Sequence, residues 1–454
     1  MVTGGASWGD QGIIAFTPRP LTTVAQIREL SGPAQPLTHV DIAETHRWPF
    51  LTGRTALFFA SSVTPNSWIN AQLEVQAIQT GSQRKLNLKG TYPQYAPTGH
   101  LTYVQEGTLM AAPFDLRRLA LTGEAIPVLD GVLQSQFTGA AHYSFSATGS
   151  LVYVPGGFQR RRTRLVWVDR NGAEQPLGAA DGDYYVVRIS PDGKRLALGI
   201  GDGIWAYDLA RGTLTRLTFE GNANYIPIWT PDGKRVIFQS YRAGTARNLF
   251  WQLADGSGGL ERLTVSEYTN TPFSFSPDGR LLAFVESEAQ AQAPAIWVLR
   301  LDDRKAEPFL KTRFDETGPQ FSPDGRWLAY VSNESGRFEV YVQPYPGPGG
   351  KSQISTEGGR QALWNPNGRE LFYREGSKMM AVDVTTEPVF SAGKPKMLFD
   401  GPYLMTGAQY PNYDVAPDGQ RFLMLKPVEE AQAAAQINVV LNWLEELKQR
   451  VPVR

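Results

Sequence analysis

The stretch SPDGKRLAL at residues 190–198 recurs, with small changes, almost to the end of the chain. The copies are TPDGKRVIF from Thr230, SPDGRLLAF from Ser276, SPDGRWLAY from Ser322, NPNGRELFY from Asn365 and APDGQRFLM from Ala416. No other feature constrains the fold so tightly. Proline sets φ near the value wanted at the first central position of a type I turn, Asp or Asn tolerates the second, and Gly accepts the positive φ that follows. A Lys, Arg or Gln then leads into alternating apolar residues, the pattern of a half-buried strand. Each copy is therefore predicted to be a hairpin.

Weaker copies with the same layout precede these: WGDQGIIAF from Trp8, FLTGRTALFF from Phe50, YAPTGHLTYV from Tyr95 and FSATGSLVYV from Phe145. The turn glycine then falls at 12, 53, 99, 149, 193, 233, 279, 325, 368 and 419, at intervals of 40 to 51 residues. That is close to the period of about 40–50 residues expected for four-stranded propeller blades. Around Gly193, YYVVRIS enters the turn and KRLALGI leaves it, IWAYDLA makes a third strand, and LTRLTF a fourth. The expected fold is all-β: a β-propeller of four-stranded antiparallel blades, with ten repeat units in all.

The halves of the chain read as two copies of one array. HLTYVQEGTLMAAPFDLRRLALTGEAIPVLDG, around Gly99, parallels RELFYREGSKMMAVDVTTEPVFSAGKPKMLFDG, after Gly368; SLVYV followed by TRLVWVDRNG parallels RFLML followed by INVVLNW. The expected domains are residues 1–163, a partial propeller of four blades, and residues 164–454, a six-bladed ring with a short C-terminal helix; a single larger ring, or further blades upstream of the first four, are the alternatives. That helix, NWLEELKQR, has Asn442 as its expected N-cap, Trp443, Leu444 and Leu447 on one face, and a Glu446–Arg450 pair; it is expected to pack on the last blade. ESEAQAQAP (286–294) and EEAQAAAQ (429–436) are low-complexity loops expected to be mobile.

Lys plus Arg and Asp plus Glu balance at 44 each, so no global charge points to nucleic acid or an acidic membrane surface. Without cysteine, a disulfide framework, thiolate zinc sites and a cysteine nucleophile are excluded. No run approaches the roughly 20 apolar residues of a membrane span, and MVTGGASWGDQG lacks signal-peptide character, so the chain reads as soluble. A monomer is expected.

HRWPFL, GTLMAAPFD, LVWVDRNG, FSPDGRWLAYVSNESGRFEVYVQPYPGPGG and the closing VVLNWLEEL carry a resemblance over essentially the whole chain. The sequence resembles TolB-like propeller arrays, including those at the C-terminal ends of bacterial membrane-anchored serine/threonine kinases. Such arrays are similar in fold to TolB, a periplasmic binding protein, and to the propellers that gate prolyl-oligopeptidase-type enzymes. The resemblance implies a protein, peptide or cell-envelope partner and an extracytoplasmic or periplasmic setting. There is no Gly-rich loop with a following strand lysine and no HRD or DFG set, so these residues carry no kinase activity.

GASWG at Gly5–Gly9 fits the nucleophile-elbow pattern by letter, but the elbow needs a strand before Ser7 and a helix after it, and here a strand follows. His39, His46, His100 and His142 lack metal-ligand spacing, and nothing brings Asp115 and His142 to one site. Asp181 and Asp183 and the turn residues Asp192, Asp232, Asp278, Asp324 and Asp418 could suggest calcium; the turn residues belong to different blades and fit Asx turns. Arg160, Arg161, Arg162 and Arg164 read as a solvated linker. No catalytic residue, metal site or cofactor is expected.

The residues just before each innermost strand should ring the channel mouth, where propeller ligands approach. They are Tyr184, Arg188, Asn224, Tyr225, Tyr268, Asn270, Glu316, Arg360 and Tyr410, with Asp315 and Asn412 beside them. Tyr and Arg combine buried area with directional polar contacts, which suits recognition. The expected function is a non-catalytic binding or sensing scaffold; the alternative is an accessory propeller of a prolyl-oligopeptidase-type serine peptidase.

Overall fold

The computed structural model describes residues 4–453 apart from 10–11, 19–22, 29–30, 41–43, 54, 63–67, 161, 220–223, 244–245, 288–292, 348, 406–409 and 429–435. Among the described residues, apart from one helix, Trp443–Arg450, every regular element is a short strand. The chain forms two compact units, Arg162–Val428 and Met1–Arg161 with Glu429–Arg454.

The repeat acts first through its turns. All ten turn glycines have positive φ, from 53° at Gly53 to 103° at Gly149. At Gly193 (φ 69°) the preceding Asp192 takes the Lys194 amide at 3.1 Å and the Ser190 hydroxyl at 2.6 Å, while Ser190 Oγ takes the Arg195 amide at 2.9 Å. Thr230–Asp232, Ser276–Asp278 and Ser322–Asp324 repeat this bond pattern, and Asp418 takes the Gln420 amide. These carboxylates are spent on their own turns as the Asx reading expects, and the hydroxyl and amide bonds hold those of Asp192, Asp232 and Asp278 below the usual range.

In the unit Arg162–Val428, six antiparallel sheets follow one another, with first strands Tyr184–Ile189, Asn224–Trp229, Thr269–Phe275, Glu316–Phe321, Arg360–Trp364 and Tyr413–Val415. These six strands neighbour one another in a closed cycle, the last beside the first. The sixth sheet is completed from the other end of the unit: Arg421–Pro427 pairs with Thr163–Asp169, in register from Thr163 opposite Pro427 to Asp169 opposite Arg421, and Glu174–Pro176 lies outside it. An apolar cluster fills each interval between successive sheets, the closing one joining Leu165, Leu423 and Leu425 to Tyr184, Leu196 and Leu198. Each fully buried Leu or Val contributes about 1.5–3 kcal/mol, so closure gives both end sheets a packed neighbour.

Among its described residues the other unit has four such sheets, beginning at Ala6–Trp8, Thr45–Thr52, Thr91–Ala96 and Tyr143–Phe145, and three intervening clusters. Its third sheet carries an extra strand, Ile126–Leu129, against Thr108–Asp115, as Lys396–Asp400 lies against Lys378–Thr385 in the other unit. The likeness of the two sequence segments thus extends to the same irregular topology.

The tail departs from the sequence expectation. Residues 429–454 belong with the first unit, not with the ring beginning at 164. Asn438–Val440 pairs with Leu151–Tyr153 as the outer strand of the fourth sheet, and Trp443, Leu444 and Leu447 pack with Leu151, Tyr143 and Val104. TRLVWVD and INVVLNW have therefore exchanged places: each completes the sheet preceding the other. Both are alternating apolar segments, so the residues alone do not distinguish the pairings. Asn442 does not cap the helix with its side chain; it adopts φ 57° and its carbonyl takes the Glu445 amide at 3.1 Å. Glu446 and Arg450 do pair, at 2.9 Å. The central parts of the two loops expected to be mobile, 288–292 and 429–435, lie outside the described residues.

Candidate ligand-binding face

The six first strands of Arg162–Val428 converge, and crowding there shows in the backbone. Register shifts interrupt five of them, at Tyr184/Val186, Tyr225/Ile228, Pro272/Ser274, Thr317/Gln320 and Arg360/Leu363. Bulges of this kind increase twist and re-aim side chains. Ile226 and Gln361 have φ of 55° and 56°. For a β-branched residue such as Ile226 this is a strained conformation, which the packed neighbours must hold.

The expected site residues divide by exposure. Tyr184, Arg188, Asn224, Asn270 and Glu316 are all buried. Arg188 turns inward, and its Nη1 donates to the carbonyls of Val187, Pro411 and Tyr413 at 2.6, 3.1 and 3.2 Å. Burial lowers its pKa. The Tyr184 hydroxyl donates to the Ala180 carbonyl at 2.6 Å, Asn224 Oδ1 accepts from Arg242 at 3.2 Å, and Asn270 Nδ2 donates to Glu286 at 3.1 Å. Glu316 accepts from the Thr312 hydroxyl at 2.8 Å, and burial raises its pKa. These five brace the strand ends, because both faces of an innermost strand are covered by neighbouring sheets.

The residues left nearer solvent are Tyr268, 39% exposed, and the half-buried Arg360 and Tyr410. Tyr225, expected at the mouth, is also buried, 4% exposed, and meets Tyr410 in one cluster with the buried Tyr185 and Ile226 and with Tyr241. The Tyr185 and Tyr225 rings make an edge contact at 5.9 Å, and the Arg247 guanidinium lies over Tyr225 and Tyr241 at 4.9 and 4.7 Å. Arg247 Nε is buried without a hydrogen-bond partner among the described residues. On another side of the ring Arg360 lies 3.8 Å over Phe338; burial lowers its pKa, and the Asp315 carboxylate opposes that. Asn412 is interior, donating to the Tyr185 carbonyl at 2.6 Å and accepting from Gln361 at 3.0 Å. Tyr185, Tyr241 and Arg247 were not singled out from sequence. Tyr185 adjoins Tyr184 and was legible in principle, whereas the other two come from the loop joining strands Arg235–Ser240 and Asn248–Leu253.

Two cavities lie away from these residues. A groove of about 710 Å³ runs along the opposite ends of two first strands, between Asp324, Arg326, Asn367, Asp383 and Glu387. The other unit has a cavity of about 220 Å³ between Ser7, Trp48, Phe50, Tyr92 and Gln94. The first is lined largely by turn and strand-end residues, the second mainly by residues within the first strands of the four sheets, and among the described residues neither lining brings together nucleophile, base and oxyanion donors.

The remaining motifs find ordinary partners. Ser7 lies within strand Ala6–Trp8 and its Oγ accepts the Leu51 amide at 3.0 Å. Asp115 caps the turn at Arg117 and Arg118. Arg164 pairs with Asp181 through two 2.8 Å bonds, Arg160 lies 3.3 Å from Glu106, and Arg161 falls outside the described residues. His100 binds the Val451 carbonyl at 2.6 Å, and the His39 backbone bonds the Gln83 side chain. His46 has different company: its ligating atoms lie within 4.8 Å of those of Glu44 and Glu74, a grouping that spacing along the chain did not reveal.

Residues 142–295 and 267–401, together more than half of the chain, match the sequence profile of the TolB beta propeller domain. No curated protein sequence matches the chain significantly. Similar solved structures include a TolB candidate from Agrobacterium tumefaciens, 17% identical over 60% of this chain and 100% of that one, with a TM-score of 0.49. TolB from Acinetobacter baumannii is 16% identical over 74% of this chain and 80% of that one, with a TM-score of 0.40. Hydrazine synthase from Kuenenia stuttgartiensis is 13% identical over 80% and 98%, with a TM-score of 0.41. Likenesses at these scores bear on neither ligand nor activity.

Proposed function

We propose, from the premise that this chain belongs to the TolB beta propeller domain family, that it is a non-catalytic scaffold capturing a protein or peptide on the face where the first strands of Arg162–Val428 begin. The observation that carries this reading is the concentration of aromatic rings and guanidinium groups there. Arg247 lies over the rings of Tyr225 and Tyr241, Tyr185 and Tyr410 share an apolar cluster with those two rings, and Tyr268 and Arg360 stand nearer solvent. Tyr and Arg dominate binding hot spots, since each offers large contact area with fixed donors. The extracytoplasmic setting and kinase-linked context rest on sequence resemblance alone. No helix among the described residues is long and apolar enough to cross a membrane.

The test is selection of displayed random peptides on the full chain, followed by affinity measurement on variants. Tyr268→Ala, Arg360→Ala and Tyr410→Ala together should weaken the selected peptides at least about a hundredfold, a few kcal/mol of hot-spot energy, with the thermal midpoint nearly unchanged because none of the three is fully buried. Unchanged affinity in the triple variant rejects this face.

A further inference from the structure

We propose that Glu44, His46 and Glu74 form a binding site for a divalent transition-metal ion of the zinc class in the unit containing residues 1–161. His46 lies on strand Thr45–Thr52, Glu74 on strand Gln72–Ala77 and Glu44 just ahead of the first; strand Ala56–Ser62 runs between the two. One donor atom from each residue lies within 4.8 Å of the others.

Three observations point to a ligand. His46 is 0% exposed and its Nε2 has no hydrogen-bond partner among the described residues; the nearest carboxylate oxygen, Glu44 Oε2, is 3.8 Å away. Glu74 is 3% exposed, and its Oε1 likewise has no partner among them. Leaving a buried polar atom unpaired forfeits its hydration without return, more so when it is charged, and native structures seldom leave such atoms together. Third, the other imidazole nitrogen is held: His46 Nδ1 lies 2.8 Å from Thr38 Oγ1, which also takes the Val24 amide at 2.9 Å. In the tautomer whose Nδ1–H donates to Thr38, the Nε2 lone pair is free for a metal, the outer-shell arrangement that orients histidine ligands.

The donor set selects the metal. One imidazole and two carboxylates suit zinc and its neighbours better than calcium, which takes six to eight oxygens. Bonds of about 2.0–2.2 Å place tetrahedral donors about 3.4 Å apart, so closing this site needs shifts of roughly 1 Å in two flexible Glu side chains. The Phe59 ring, 4.4 Å from that of His46, walls the site on the apolar side. Lys85 bonds Glu44 Oε1 at 2.6 Å from the solvent side and offsets part of the negative charge, so it competes with a bound cation. An ion here would tie two strands across the one between them.

The experiment uses the full, tag-free chain stripped with chelator, titrated calorimetrically with Zn²⁺ and separately with Ca²⁺, with thermal unfolding followed in parallel. One Zn²⁺ per chain should bind and raise the unfolding midpoint of this unit, with no comparable Ca²⁺ heat. Glu74→Gln and Glu44→Gln should each weaken Zn²⁺ by about tenfold or more, in line with loss of a ligand. The solvent-side Lys85→Gln, which leaves the buried residues intact, should tighten it several-fold. Absence of stoichiometric Zn²⁺ binding, a Ca²⁺ preference, unchanged affinity in the folded Glu variants, or weaker binding in Lys85→Gln would each overturn the assignment.

Discussion

The two units are built from one repeat and differ in how their sheets end. In Arg162–Val428 six sheets share six apolar intervals, because Thr163–Asp169 completes the last sheet and brings Leu165 to the first. In the unit of residues 1–161 and 429–454, four sheets share three. Its final interval is filled by the returning strand and the helix carrying Trp443, Leu444 and Leu447. A repeat supplies the hairpins in both cases, but the end condition decides whether each sheet has two packed neighbours or one. A quasi-periodic array without such closure or capping exposes its terminal faces.

The comparison can be broken at its ends. Deleting residues 429–454 should have the largest effect: the unit of residues 1–161 loses its cooperative calorimetric transition, while Arg162–Val428 keeps its own. Next come paired core truncations. Trp443→Ala should cost about 3–5 kcal/mol and move only the first unit's transition; Leu423→Ala, in the closing interval of the ring, should cost about 2–5 kcal/mol and move only the second. Equal shifts in both transitions would show that the units do not unfold separately.

Smaller effects sharpen the picture. Gly279→Ala places a Cβ at φ 72° in uncrowded space, its nearest contact being 3.7 Å from Pro231, so it should cost about 1 kcal/mol through backbone strain alone. The smallest is a pH effect in the tail. Burial lowers the pKa of His100, whose Nε2 bonds the Val451 carbonyl. The folded state therefore favours the neutral ring, and the unfolded chain takes up the proton first, so the first unit should lose stability as pH falls through about 6.5. The difference between wild type and His100→Gln, measured from pH 7.5 to 5, isolates this from carboxylate titration; a gain of relative stability in acid would reverse the sign.

Much of the fold was legible because turn chemistry is local. Pro-Asp-Gly fixes a hairpin whatever surrounds it, and the parallel segments around Gly99 and after Gly368 led to sheets with the same extra strand. What was not legible depends on pairing at a distance. TRLVWVD and INVVLNW are interchangeable as strands, so their exchange could not be read from periodicity. Position before an innermost strand is the basis of the proposed face, but it does not tell exposure: Arg188 turns inward to three carbonyls, whereas Tyr268 is 39% exposed. His46 meets Glu74 only because a strand folds back between them.

The most direct test of ring closure is expression of residues 162–428 alone. The two chain ends meet in one sheet, where the Val428 amide bonds the Arg162 carbonyl at 2.9 Å. The fragment should fold to a single cooperative transition matching that of the same unit in the full chain, and should bind the selected peptides with equal affinity. A fragment that aggregates, or melts without cooperativity, contradicts a self-closed ring.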